Sequence, residues 1–128
     1  MNAQEIFDKV MTHLATQGHR AINRFNNCVY RSPNGDKCAV GCLIPDDEYT
    51  SAFERKSIEN IVMIGHVHRP VLNNILAPQL PLLVELQRLH DNWRGPISKF
   101  HYAARQVAKN AGLSDAVIDT LEWPEIWQ

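Results

Sequence analysis

The sequence predicts a mainly α-helical protein: a compact helical domain with one short β-hairpin near residues 28–38. Three observations carry this. Apolar residues recur at helical spacing over three long segments, as in Ile6, Phe7, Val10, Met11 and Leu14. Cap residues bracket those segments, with Asn2 and Glu5 opening the first and Gly112-Leu113 closing the third. The one departure is Cys28-Val29-Tyr30-Arg31, whose strand-like residues run into the turn signal Ser32-Pro33-Asn34-Gly35-Asp36.

The first helix begins at the Asn2/Glu5 capping box and stops at Gly18. Residues 19–27 carry Ala21, Ile22 and Phe25 without clear periodicity, and Asn26-Asn27 reads as a loop. Residues 28–31 form the first hairpin strand. After the turn, Lys37 to Ile44 supports two readings. Alternation makes it a second strand, while Ala39, Val40, Gly41, Cys42 and Leu43 equally open a buried helix ending before Pro45. A short strand at residues 36–38 passing into helix is the preferred form.

Asp46 or Asp47 is placed to cap a short helix through Tyr49 and Phe53. A further segment runs from about Ser57 to Ile64, and Pro70 opens another carrying Val71, Leu72, Ile75 and Leu76. Pro81 opens a strong amphipathic helix with Leu82, Leu83, Leu86, Leu89 and His90 on one side. Gly95-Pro96 breaks it, and the next helix carries Ile97, Phe100, Ala104, Val107 and Ala108. Ser114 caps a last helix with Val117, Ile118 and Leu121, before the aromatic tail Trp123-Pro124-Glu125-Ile126-Trp127.

Composition bounds the function. A chain of 128 residues with 45% hydrophobic residues is expected to be a single domain, residues 1–128, around one core. Thirteen Lys and Arg against fourteen Asp and Glu leave a charge of -1, which gives no field toward nucleic acid or an anionic membrane. The basic residues Arg88, Arg94, Lys99, Arg105 and Lys109 are too dispersed to form a nucleic-acid patch. No apolar stretch approaches the ~20 residues of a membrane span, and the N-terminus lacks a signal-peptide pattern. Three cysteines make an odd number for a disulfide framework, so a reduced, cytoplasmic setting is expected.

The cysteines are the first candidate chemistry. Cys38 and Cys42 share a face in helix or strand, and Cys28 joins them in one hairpin register but swings away in the register one residue shifted. Cys28, Cys38, Cys42 and His90 together make a candidate zinc set, although the spacing lacks a Cys-x2-Cys knuckle. A thiol nucleophile on Cys38 or Cys42 needs a base, for which His90 beside Asp91 is the best partner. Against both stands the ordinary behaviour of free cysteines as small buried hydrophobes. No cofactor is expected.

Elsewhere, His66-Val67-His68 reads as a solvated turn, and Glu54-Arg55-Lys56 as a charged surface patch. Asp46, Asp47 and Glu48 form an acidic cluster suited to a basic partner, though acids also belong at a helix start. Trp123 and Trp127, four apart, are candidate partner anchors, though such residues also close over a domain's own core.

The central segment Cys28-x-Tyr30-Arg31, Gly35-x-Lys37-Cys38-Ala39-x-Gly41-Cys42-Leu43-Ile44-Pro45-Asp46-x-x-Tyr49, with Leu86-Gln87-x-x-His90-Asp91, resembles a group of small uncharacterised proteins from bacteria and their phages. The opening Gln4-Glu5-Ile6-Phe7-Asp8-Lys9-Val10 resembles their usual start. The resemblance implies a phage or prophage product acting inside a bacterium, and no catalytic residues carry over with it. The expected function is therefore a small soluble, non-enzymatic binding protein of phage or mobile-element type, acting as an inhibitor of a host defence protein. Its partner contact is expected at Asp46, Asp47, Glu48, Trp123 and Trp127. The alternative is a small metal-bound or cysteine-dependent enzyme using Cys38, Cys42 and His90.

Overall fold

Helix α1 spans Ala3–Gln17 and is the clearest case of local sequence setting local structure. Asn2 Oδ1 accepts the Glu5 N–H while Glu5 Oε1 accepts the Asn2 N–H, completing the capping box. Gly18 ends it in the left-handed conformation at φ 83°, which a side chain would resist. Ile6, Phe7, Val10, Met11 and Leu14 are fully buried along one stripe. The structure, a computed structural model, describes residues 1–62 and 68–128.

The fold class is as the sequence predicts: mainly helical, with one short two-stranded antiparallel pairing. That pairing joins β1 (Gly95–Pro96) to β2 (Ile126–Trp127). Residues 28–38 also fold back on themselves, but through isolated bridges, Ile22 to Cys28 and Arg31 to Lys37. The turn at Ser32 is tied instead by Ser32 N–H to Asp36 O at 2.9 Å and Gly35 N–H to Ser32 O at 3.0 Å.

After that turn the chain leaves extended geometry at once. Cys38 N–H bonds Tyr30 O at 3.1 Å, and Gly41–Leu43 closes a 3-10 turn, so neither a second full strand nor an α-helix forms. Gly41 permits this. A Cβ there would lie 2.1 Å from Tyr30 O, so only glycine lets the turn pack onto the Tyr30 carbonyl.

The expected helix through Asp46–Phe53 is absent. A turn at residues 46–48 gives way to extended Thr50, whose Oγ1 caps the 3-10 turn Ser51–Phe53. Asp46 and Glu48 are engaged elsewhere, as described below. Helix α2 spans Ile58–Val62, and the expected extension to Ile64 lies outside the described residues. Pro70 leads a π-helical turn, Val71–Leu76, in which Ala77 N–H reaches back to Leu72 O.

Helices α3 (Leu80–Asn92) and α4 (Ile97–Asn110) pack together across the Gly95-Pro96 break. Trp93 and Tyr102 line one cavity between the two helices and Pro81 and Ala111 line another toward their opposite ends, so the pair is antiparallel. Leu113 N–H bonds Ala108 O at 2.8 Å and Gly112 N–H bonds Lys109 O at 3.1 Å, which is the Schellman end the sequence signals. The last expected helix shortens to a 3-10 turn, Ala116–Thr120. One cluster of buried residues runs from Ile6 to Trp127. No described helix is long and apolar enough to cross a membrane.

Candidate functional site

The residues around His90 form a polar network inside this core. His90 is fully buried on the last turn of α3. Its Nε2 accepts the Ala21 N–H at 3.1 Å, and its Nδ1–H donates to Asp91 Oδ1 at 2.6 Å. Those two bonds specify a neutral imidazole with the proton on Nδ1. Asp91 Oδ1 also accepts Gln87 Nε2 at 3.0 Å, while Gln87 Oε1 accepts the Val40 N–H at 3.2 Å. The network thus ties α3 to the crossing segment at Ala21 and to the turn at Val40.

Cys28 completes it. The ligand-capable atoms of Cys28, His90 and Asp91 lie within 4.8 Å of one another, the one such group among the described residues. The geometry is that of a hydrogen-bond network rather than a metal cage. Both His90 nitrogens are in use, and Arg20 Nη1 sits 3.5 Å from Cys28 Sγ, setting a cation beside one of the three ligand atoms. Burial, then the Asp91 carboxylate, raises the Cys28 thiol pKa, opposing the thiolate a metal needs.

Cys38 and Cys42 do not join this group, so the set Cys28, Cys38, Cys42 and His90 does not converge. Cys38 is buried, and its Sγ accepts the Gly41 N–H at 3.1 Å. Cys42 donates its S–H to Ala39 O at 3.1 Å. Burial raises the pKa of both thiols, that of Cys42 to about 12, so neither is an activated nucleophile. All three cysteines are free.

The expected partner-binding residues separate into two kinds. Asp46 and Asp47 are exposed. Asp46 Oδ1 pairs with Arg31 Nη1 at 2.8 Å and Lys37 Nζ at 3.8 Å, while Asp47 forms no ion pair among the described residues. Glu48 is a correction: it is buried, and its two carboxylate oxygens accept the Val71 and Leu72 N–H groups at 3.0 Å each. It caps the turn opened by Pro70 rather than facing solvent.

Trp127 is a second correction. It is 1% exposed, held in the core by β2 pairing, with its ring 4.7 Å from that of Phe100. Trp123 is half-buried over Phe100 and His101, and its Nε1–H donates to Ile118 O at 3.0 Å. Both rings close over the protein's own core. Glu54 also departs from the surface reading. Its carboxylate accepts the Tyr30 and Arg31 N–H groups at 2.9 and 3.2 Å and the Tyr49 hydroxyl at 2.6 Å. The His66/His68 reading lies outside the described residues, apart from exposed His68.

The exposed aromatics are others. Phe25, 67% exposed, lies outside the groove between α3 and α4, whereas Trp93 and Tyr102, 39% and 65% exposed, border that groove with Arg88, Leu89 and Val107. Sequence signals exist for both: Trp93 follows the last turn of α3, and Tyr102 falls off the Phe100/Ala104 stripe. No protein-family model, curated protein or solved structure matches the chain.

Proposed function

We propose that this chain is a small, non-enzymatic binding protein of phage or mobile-element type that inhibits a host protein by occupying part of its surface. The observation that carries this reading is the placement of Trp93 and Tyr102. The chain buries Phe7, Phe53, Phe100 and Trp127 completely, yet leaves these two rings on the rim of one groove. Trp, Tyr and Arg dominate the energetics of protein interfaces, and Arg88 lines the same groove. The groove continues along α3 and α4 to Leu82, Pro81 and Ala111, which gives it the elongated apolar floor a protein partner covers. The resemblance of the central segment supplies the phage context.

The enzyme alternative fits the geometry less well. A Cys38 or Cys42 nucleophile needs a nearby base, and His90 spends both nitrogens on Ala21 and Asp91. Thiols raised by burial are poor nucleophiles at neutral pH.

The test starts with affinity capture from a bacterial lysate and continues with the captured partner purified and titrated against the protein. Trp93→Ala and Tyr102→Ala should each weaken that binding tenfold or more while leaving the fold intact, since both rings are solvent-exposed. Full affinity in both variants removes the α3/α4 groove as the contact. Self-association that disappears in the same variants reassigns the groove to a second copy of the chain.

A further inference from the structure

We propose that the pocket between the end of α1, the Ser32–Asp36 turn and β1 binds a small phosphorylated molecule, held by Arg20 and Arg94. The pocket has a volume of about 530 Å³ and is lined by His19, Arg20, Asn26, Asn34, Asp36 and Arg94, among others. That volume falls within the range of about 300–1,000 Å³ typical of small-molecule sites.

Arg20 is the anomaly that points to a ligand. Its residue is 8% exposed, and its Nε is buried without a hydrogen-bond partner. The hydrogen bond its guanidinium makes is to Cys28 Sγ, at 3.5 Å from Nη1, and a thiol sulfur is a weak acceptor. Leaving a guanidinium N–H buried and unpaired is unfavourable. Arg31, Arg88 and Arg105 each have a carboxylate oxygen within 2.9 Å. Arg20, Arg24, Arg55, Arg69 and Arg94 form no ion pair among the described residues, and of these Arg20 and Arg94 line this pocket.

The remaining lining is consistent with an anion. Asp36 is its one acidic side chain, and Asp36 Oδ2 is taken by His19 Nε2 at 2.7 Å. The Asn26 side chain makes no hydrogen bond among the described residues, so its amide is available as a donor. Two guanidiniums line this pocket, and its Asp36 carboxylate is already engaged by His19. Two planar N–H forks match the oxygens of a phosphoryl group bidentately. Arg20 is held in position beforehand, because its backbone N–H bonds Gln128 O at 2.8 Å and Ile22 bridges Cys28.

Calorimetric titration of the whole protein with pyrophosphate at low ionic strength tests the proposal, with succinate as the carboxylate control. Saturable one-site binding of pyrophosphate is expected, weakened at least tenfold in Arg94→Gln, whose exposed side chain leaves folding untouched, and in Arg20→Gln. Lys99→Gln, which alters an exposed cation outside the pocket, should bind as the parent does. Absence of saturable binding, equal binding by Arg94→Gln, or an equal loss in Lys99→Gln overturns the site. Succinate binding as tight as pyrophosphate overturns the phosphoryl assignment.

Discussion

The backbone N–H of Ala21 donates to Nε2 of His90 at 3.1 Å, joining residues 69 positions apart in sequence inside the core. This bond, with the one from Nδ1–H to Asp91, gives His90 a structural role that its place on the apolar face of α3 does not reveal. Replacing His90 with Leu orphans the Ala21 amide, and a buried unpaired donor costs about 1–3 kcal/mol, with misfit of the new side chain adding to it. Urea denaturation should show that loss. A midpoint unchanged in His90→Leu would contradict the pairing.

Gly41 should be irreplaceable even by alanine. The added Cβ would stand 2.1 Å from the Tyr30 carbonyl oxygen, which is backbone and cannot swing away. Gly41→Ala is expected to destabilise by about 1–3 kcal/mol or more, as overpacking does. Gly35→Ala, where no atom lies within 4 Å, isolates the separate effect of a positive φ. A smaller loss at Gly41 than at Gly35 would refute the close approach.

The acidic cluster should divide by function under mutation. Glu48→Ala leaves the Val71 and Leu72 N–H groups without their acceptors and should cost about 1–3 kcal/mol for each amide that water cannot reach. Asp47→Ala, exposed and without an ion pair among the described residues, should stay within about 0.5 kcal/mol of the parent. Thermal melts of the two variants separate them directly.

Stability should fall on mild acidification. Burial, against an opposing hydrogen bond to Lys37 O, lowers the pKa of His13 below its usual 6.5, and burial lowers that of His101 as well. The unfolded chain therefore binds more protons than the folded one between 6.5 and the depressed folded values. The contribution is intact above pH 6.5, declines as pH drops, and is fully lost below the folded pKa values. His13→Gln should flatten the corresponding part of a stability-against-pH curve, and an unaltered slope would contradict this assignment.

The thiols should react slowly. Burial pushes Cys42 up to about 12 and raises Cys28 and Cys38 too, so little thiolate exists at pH 8. Labelling with a disulfide reagent should need denaturant for full stoichiometry. Immediate modification of Cys42 in the native protein would overturn this reading.

Much of the helical framework was legible in local signals. The Asn2/Glu5 box, the Gly18 stop and the Gly112-Leu113 end act within a few residues, so the sequence carries them openly. The spacing of Leu82, Leu83, Leu86, Leu89 and His90 likewise marks the buried face of α3. The expected helix at residues 46–53 failed because Glu48 turned inward to serve amides more than twenty residues away, and Arg31 drew Asp46 into an ion pair.

What the sequence by itself determined is therefore the fold class, the helix ends and most of the apolar stripes, because each depends on neighbours within one or two turns. Only the tertiary structure decided which polar groups go inside. Glu48, Glu54 and His90 are buried or half-buried because distant backbone amides need acceptors there, and Trp127 is buried because β2 pairs with β1 against Phe100. The pairing of Trp93 with Tyr102 on one rim, and of Arg20 with Arg94 in one pocket, arises in the same way. Such meetings depend on long-range packing, and no local periodicity records them.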